Sequence, residues 1–172
     1  LIEDAAESHG SKYKGKKCGS FGDISTFSFY ANKHITTGEG GMILTNNKKI
    51  YNKCMSLKNL CFGNSKYNRF NHEDIGWNYR MTNIQAAIGC AQIQRIESIL
   101  SFREEIFNHY YKNLKTFNRF EFQTDLQGTK KVCWLFTALI NFKDSDKTID
   151  LIRKKLLEKN IDSRPIFYPL NQ

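Results

Sequence analysis

A lysine, a carboxylate and a hydroxyl occur in segments that could bring their side chains together in one site. Lys33 follows a β-rich run and precedes the glycine turn at 38–41, and Ser28 lies five residues before it. Asp4 follows a short apolar pair that we predict to end a strand, at the edge where α/β sheets bind ligands. A lysine can form a Schiff base, an acid can keep a pyridine nitrogen protonated, and a hydroxyl can bind phosphate. These are the parts of a pyridoxal phosphate site, whereas Lys33 alone would be taken for a surface residue.

The elements that must position these residues follow from the hydrophobic pattern. The predicted strands cover 1–2, 24–29, 42–45, 132–142 and 166–168, with a hairpin over 11–19. The predicted helices cover 48–60, 83–117 and 148–159. Thr82 is expected to cap the longest helix, which should bend near 98–101 and bury the apolar stripe over 84–100 in the core. Strands and helices alternate, so the predicted class is α/β with a smaller α+β element near the end.

The composition is that of a globular protein and excludes several classes. The 172 residues include 26 Lys+Arg and 17 Asp+Glu, a formal net charge of +9, and 40% are hydrophobic. No apolar run approaches the roughly 20 residues of a membrane span, and we expect no signal peptide. The basic residues are spread among acids and turns, which favours a solvated surface or a negatively charged small substrate over nucleic acid. Both ends look cut, so we expect a segment of a longer polypeptide.

The cysteines indicate a reducing environment. They are Cys18, Cys54, Cys61, Cys90 and Cys133. Their number is odd and they form no C-x-x-C pair, so we expect free thiols in or near a core and a cytoplasmic protein. A structural metal site needs clustered ligands, and the sequence predicts none.

Several segments resemble the sugar-nucleotide aminotransferase family, the DegT/DnrJ/EryC1/StrS group. They are IEDAAESHG (2–10), GSFGD (19–23), FSFYANK (27–33), TTGEGG (36–41) and NYRMTN (78–83) followed by QAA (85–87). The resemblance runs over nearly the whole chain in the family's order, which makes it more specific than one glycine motif. Within the family, LKNLCFG (57–63), RFNH (69–72) and SRPIFYPL (163–170) are most similar to the GDP-perosamine synthase branch.

The resemblance implies part of a fold type I, pyridoxal-phosphate-dependent transferase with the aspartate aminotransferase-like fold. Residues 1–100 would form the C-terminal part of the large cofactor-binding domain. Residues 101–172 would form a connecting helix and the beginning of the small C-terminal α+β domain. The implied reaction moves an amino group from glutamate to a nucleotide-linked 4-keto-6-deoxy sugar, with pyridoxal 5′-phosphate as cofactor. Amino sugars of this kind supply cell-surface polysaccharides such as O-antigen.

The same resemblance assigns roles to five residues. Lys33 matches the lysine that holds the cofactor as a Schiff base and whose free amine would then move a proton. Asp4 matches the acid that faces the pyridine nitrogen, and Ser28 matches the phosphate-binding hydroxyl. Glu7 takes a position near the cofactor ring where relatives often have Gln. Asn78 matches an asparagine supplied to the neighbouring subunit's cofactor phosphate, which implies a homodimer with shared active sites.

Other polar residues near these motifs have more than one interpretation. His34 directly follows the lysine and would either flank the substrate entrance or lie at the surface. Arg69 and His72 belong to the aromatic loop 62–77, which would either help hold the sugar nucleotide or form an ordered loop at a subunit interface. His9 is expected to be a packed polar residue rather than a base.

Two other functions stay open at this point. The chain could belong to a relative that acts at C3 or C4 of a different nucleotide sugar. It could also be a truncated, non-catalytic subunit that binds a partner. A dehydratase of the same family would have His at the lysine position, so Lys33 argues against that reaction.

Overall fold

The chain forms eight strands and four helices in a computed structural model that describes residues 1–63, 65–141 and 145–168, apart from the side chains of 145–147. The strands are β1 Ile2–Asp4, β2 Lys12–Tyr13, β3 Lys16–Lys17, β4 Ile24–Ser28, β5 Gly41–Leu44, β6 Phe120–Phe122, β7 Thr129–Lys130 and β8 Ala138–Ile140. The helices are α1 Lys48–Leu57, α2 Asn83–Ile93, α3 Ile96–Leu114 and α4 Ser145–Leu157. This mixture confirms the predicted α/β class.

The chain divides into two compact units. The first contains Leu1–Glu104 and Asp125–Trp134, and the second contains Glu105–Thr124 and Leu135–Gln172. The first unit therefore takes in a late segment of the chain. The division into a cofactor-binding domain and a small domain at residue 100 stays a prediction.

The main sheet of the first unit has the strand order β1-β4-β5. β-branched and aromatic residues favour strand β4, which pairs in parallel with β1 and antiparallel with β5. Asp4 is paired with Thr26 and Ser28 with Gly41 in this register. The carboxyl ends of β1 and β4 therefore reach the same edge of the sheet.

The predicted hairpin forms a second small sheet in the first unit. β2 pairs antiparallel with β3 and with β7. Lys14 and Gly15 connect β2 to β3 with φ angles of +48° and +79°. Two successive left-handed residues match the right-handed twist of a two-residue hairpin.

The long predicted helix is two helices, because the chain turns at residues 94–95. Thr82 caps α2 through a capping box with Gln85, as predicted. The backbone N–H of Arg95 bonds to Gln92 O, a tighter turn than the α-helix, before α3 begins at Ile96. The predicted bend at 98–101 is therefore wrong by several residues.

The second unit packs the later part of α3 with the β6-β8 pair, and α4 also belongs to it. Aromatic rings contact one another across these elements, with Tyr110 and Phe136 centroids 5.0 Å apart and Tyr111 and Phe122 centroids 5.1 Å apart. The predicted strand 132–142 is reduced to β8, and residue 142 lies outside the described part. Within the described ranges, residues 166–168 form no strand, so the strand predicted there is wrong.

The buried apolar core of the described residues is small. Its members are Ala5, Phe29, Ile35 and Cys61. The predicted burial of the 84–100 stripe is wrong: Ile84 is 76% exposed and α2 has no buried residue. The five cysteines are free thiols, but Cys90 is exposed rather than near the core. Within the described ranges, no helix has the length and apolar character needed to cross a membrane.

Candidate active site

The predicted acid and hydroxyl lie at the ends of two paired strands. Asp4 is the last residue of β1, and its exposed carboxylate accepts a hydrogen bond from the Ala6 N–H at 3.1 Å. Ser28 is the last residue of β4, and its hydroxyl accepts one from the Tyr30 N–H at 3.2 Å. The carboxyl edge of a sheet is where α/β folds bind ligands, and both groups keep hydrogen-bonding capacity there.

Lys33 lies in a closed loop between β4 and β5. The Phe29 N–H donates to Gly40 O at 2.8 Å, and the Lys33 N–H donates to Tyr30 O at 3.0 Å. Gly40 has a φ of +132°, and an added Cβ would lie 3.0 Å from the Met81 methyl carbon. A glycine at this position therefore allows the loop to pack closely against Met81, and this packing helps to fix the backbone of Lys33.

The Lys33 amine is enclosed by two side chains. Its Nζ lies 2.8 Å from Glu7 Oε1, and the side chain of Lys33 is only 9% exposed, against 49% for Glu7. The same Nζ lies 3.8 Å from the centroid of the Trp134 ring. The pairing with Glu7 accounts for the burial of the lysine, because charged side chains are rarely buried unless paired. This contact joins two residues that the sequence singled out separately.

Two histidines lie buried beside this lysine. The ring centroids of His9 and His34 are 6.1 Å apart. Burial, together with the electrostatic influence of His34 and Lys33, lowers the pKa of His9 to about 4. Burial and the nearby Arg103 also lower the pKa of His34. Both rings are therefore neutral near pH 7. Because both are buried, the predicted packed role of His9 is confirmed and the surface alternative for His34 is wrong.

Glu3 holds the GSFGD segment, a role that the sequence reasoning missed. Its carboxylate accepts hydrogen bonds from the N–H groups of Gly19 at 2.7 Å, Phe21 at 2.5 Å and Gly22 at 2.5 Å. Burial would raise the pKa of Glu3, but these three donors together hold it below its ordinary value. The only sequence signal was an acid inside a strand, beside the more conspicuous Asp4.

The remaining predicted residues lie in a separate loop. Arg69 is stacked 5.7 Å from the ring centres of Phe62 and Phe70, and His72 Nδ1 lies 2.6 Å from Leu60 O. Asn78 is exposed and forms an isolated bridge with Asn59. The structure does not bring these residues into contact with the Lys33 group. Their substrate and cofactor roles stay predictions.

The family assignment rests on the whole chain. A model of the DegT/DnrJ/EryC1/StrS aminotransferase family matches residues 1–172. The chain belongs to this family. The resemblance inferred from the short segments is thereby confirmed.

Individual relatives agree with this assignment. The chain is 42% identical over 171 residues to GDP-perosamine synthase of Escherichia coli O157:H7, covering 99% of this chain and 45% of that protein. Its structure is similar to PseC of Helicobacter pylori, an aminotransferase involved in the biosynthesis of pseudoaminic acid, with a TM-score of 0.87, 29% identity and coverage of 99% and 46%.

A cofactor-bound structure is also similar. The PLP form of Spr1654 from Streptococcus pneumoniae matches with a TM-score of 0.84 and 26% identity, over 98% of this chain and 44% of that one. The chain thus spans about half the length of the curated relatives it matches, 45% of the Escherichia coli enzyme.

The residues at the sheet edge fit pyridoxal phosphate. A lysine amine in a fixed loop, a carboxylate at one strand end and a hydroxyl at the next supply the three kinds of contact that this cofactor uses. The observation that decides the fit is the enclosed amine of Lys33, which lies 2.8 Å from Glu7 in a loop whose backbone is hydrogen-bonded at both ends.

Proposed function

We propose that this chain is the lysine-bearing part of a pyridoxal-phosphate-dependent sugar aminotransferase with fold type I architecture. The proposed reaction moves an amino group from glutamate to C4 of a nucleotide-linked 4-keto-6-deoxy sugar, as the similarity to GDP-perosamine synthase suggests. The product would supply amino sugars for cell-surface polysaccharide. The observation that carries the proposal is the Lys33 amine, which is held between Glu7 and an aromatic ring in the loop that follows β4.

Each residue at the edge has a defined task. Lys33 would bind the cofactor covalently and, once its amine is free, take the proton from the donor's α-carbon. Asp4 would hold a proton on the ring nitrogen, and Ser28 would donate its hydroxyl hydrogen to a phosphate oxygen. When bound, pyridoxal phosphate accepts the electron pair left on the donor's α-carbon.

Glu7 would act on the Lys33 amine. Its carboxylate accepts a hydrogen bond from Nζ at 2.8 Å and is itself 49% exposed, so it can turn away toward solvent. A turn of Glu7 toward solvent would release the amine when the cofactor or the amino donor arrives. Glutamine at this position would keep the hydrogen bond but not the charge.

Asn78 supports the proposal of a homodimer. It is exposed in the loop that precedes α2, where it is available to a second subunit. In the proposed dimer it would reach the partner's cofactor phosphate, so that each active site is built from two chains.

The reaction is tested by following the nitrogen atom. The protein is supplied with pyridoxal phosphate, [15N]glutamate and a GDP-linked 4-keto-6-deoxyhexose, and the sugar product is analysed by mass spectrometry. We expect one 15N in the product sugar and one 2-oxoglutarate per amino group transferred. Lys33→Ala should lose this transfer, whereas Lys53→Ala, which removes an exposed lysine paired with Asp74 at 2.6 Å, should keep it.

Other outcomes separate the alternatives. Transfer only to a UDP- or dTDP-linked keto sugar, or to C3, would retain the aminotransferase and refute the GDP-linked C4 substrate. If neither the cofactor nor any keto sugar bound, the chain would instead be a non-catalytic subunit.

A further inference from the structure

Trp134 is in direct contact with the Lys33 amine although neither composition nor motif singled it out. Lys33 Nζ lies 3.8 Å from the ring centroid of Trp134. The indole Nε1–H of Trp134 donates a hydrogen bond of 2.9 Å to the backbone carbonyl of Asn32. One side chain thus touches both the tip of the lysine and the peptide just before it.

This contact is tertiary rather than local. Asn32 and Trp134 are 102 residues apart in sequence. Other lysines over aromatic rings contact close neighbours in the chain: Lys48 lies 4.5 Å above Tyr51, and Lys14 lies 5.3 Å from Tyr13. The segment Asp125–Trp134 belongs to the first unit with Lys33, so folding of that unit brings the two together.

The geometry restricts the lysine side chain. A free lysine has many rotamers, and their loss opposes any fixed position of its amine. Here the ring covers one side of the amine, Glu7 lies 2.8 Å away, and only 9% of the side chain is exposed. An ammonium group over the face of an indole is held by the negative potential of the ring.

We propose that Trp134 is a positioning residue for Lys33. It fixes the amine at the sheet edge by ring contact, and it fixes the loop by its hydrogen bond to Asn32 O. The amine would thereby be held in one orientation for its reaction with the aldehyde of the cofactor. This inference rests on the proposed function, because only a lysine that reacts needs a fixed direction.

The contact is first tested without cofactor, by NMR of protein labelled with [13Cε]lysine. The ring current of Trp134 should shift the Lys33 ε-methylene resonance upfield, and Lys33→Arg identifies that resonance by its loss. Trp134→Leu should return it to the ordinary lysine position. Trp77→Leu, at the other of the two tryptophans, should leave it unchanged. An unshifted resonance in the wild type, or one that survives Trp134→Leu, would overturn the proposal.

The positioning role is then tested by the rate at which pyridoxal phosphate becomes fixed to Lys33. Quenching with borohydride at successive times and measuring the intact mass gives this rate. We expect Trp134→Leu to slow it by about tenfold or more, and Trp134→Phe, which keeps a ring face, by no more than about threefold. If Trp134→Leu unfolds the protein, Trp134→Met replaces it as a ring-free variant of greater flexibility.

A spectroscopic measurement distinguishes positioning from a general structural role. The bound cofactor should show induced circular dichroism in the wild type, and Trp134→Leu should weaken this signal per cofactor attached. Wild-type rate and dichroism in Trp134→Leu would refute the positioning role while the proposed function stands. Failure of the wild type itself to attach the cofactor at Lys33 would refute the proposed function, and this inference with it.

Discussion

Ile35 should anchor the loop that holds Lys33, and replacing it should reveal how much of that position depends on burial. Ile35 is 2% exposed, two residues after the lysine. Burying an isoleucine side chain contributes about 1.5–3 kcal/mol, and the cavity left by truncation raises the cost of Ile→Ala to about 2–5 kcal/mol. We therefore expect Ile35→Ala to lower the free energy of unfolding by about 3 kcal/mol.

The same substitution at an exposed site is the matched control. Ile84 is 76% exposed, so only about a quarter of its side chain contributes, which corresponds to less than about 0.7 kcal/mol. Alanine also has the better helix propensity in α2, which offsets part of this loss.

Urea denaturation followed by far-ultraviolet circular dichroism measures both variants. With a slope of about 2 kcal/mol/M, Ile35→Ala should lower the midpoint by about 1.5 M and Ile84→Ala by less than about 0.4 M. Ile35→Ala should also reduce the fraction of Lys33 that binds pyridoxal phosphate. Equal midpoint shifts for the two variants would refute the reasoning that burial of Ile35 anchors this loop.

Three further changes probe the supports around the site. Thr82→Ala should remove the capping box with Gln85 and destabilise the protein by about 1 kcal/mol in urea denaturation, whereas Thr82→Ser should retain most of the stability. Folding lowers the pKa of Glu3, so its contribution to the free energy of unfolding is present above pH 4.5 and is lost as pH falls through the pKa of the folded protein. Glu3→Gln should therefore remove that part of the acid dependence from unfolding curves measured across this range. The pKa of His9 falls from 6.5 to about 4 on folding, so stability should decrease as pH falls from 6.5 to 4, by at most about 3 kcal/mol, and His9→Phe should flatten the unfolding free energy over that range.

The sequence predicted the parts of the fold that depend on local signals. Alternating apolar residues identified β4, the apolar run after the glycine turn identified β5, the Lys14-Gly15 turn identified the hairpin, and Thr82 identified the start of α2. These signals are local because hydrogen bonds to caps and turns are made within a few residues.

The errors concern interactions between distant parts of the chain. The apolar stripe of α2 has helical periodicity, but periodicity does not show what covers it, and Ile84 is exposed in the described part of the chain. The segment before β8 has strand-like composition, yet Trp134 instead contacts Lys33 from 101 positions away in the printed sequence. No pattern in either neighbourhood carries that information.

The candidate site shows the same division. Lys33 and Asp4 were identified by residue type and by segments that resemble the family, and the structure adds the contact of Lys33 with Glu7. Glu3 and Trp134 were missed because their roles arise from three backbone donors and from a distant ring, respectively.

The central claim is that Lys33 binds pyridoxal phosphate covalently, and peptide mapping tests it most directly. The purified protein is incubated with pyridoxal phosphate, reduced with borohydride and digested, and the modified lysines are located by mass spectrometry. We expect one cofactor per chain, on the peptide that contains Lys33, and none on Lys33→Ala. Modification spread over exposed lysines such as Lys48 and Lys53, with Lys33 unmodified, would contradict it.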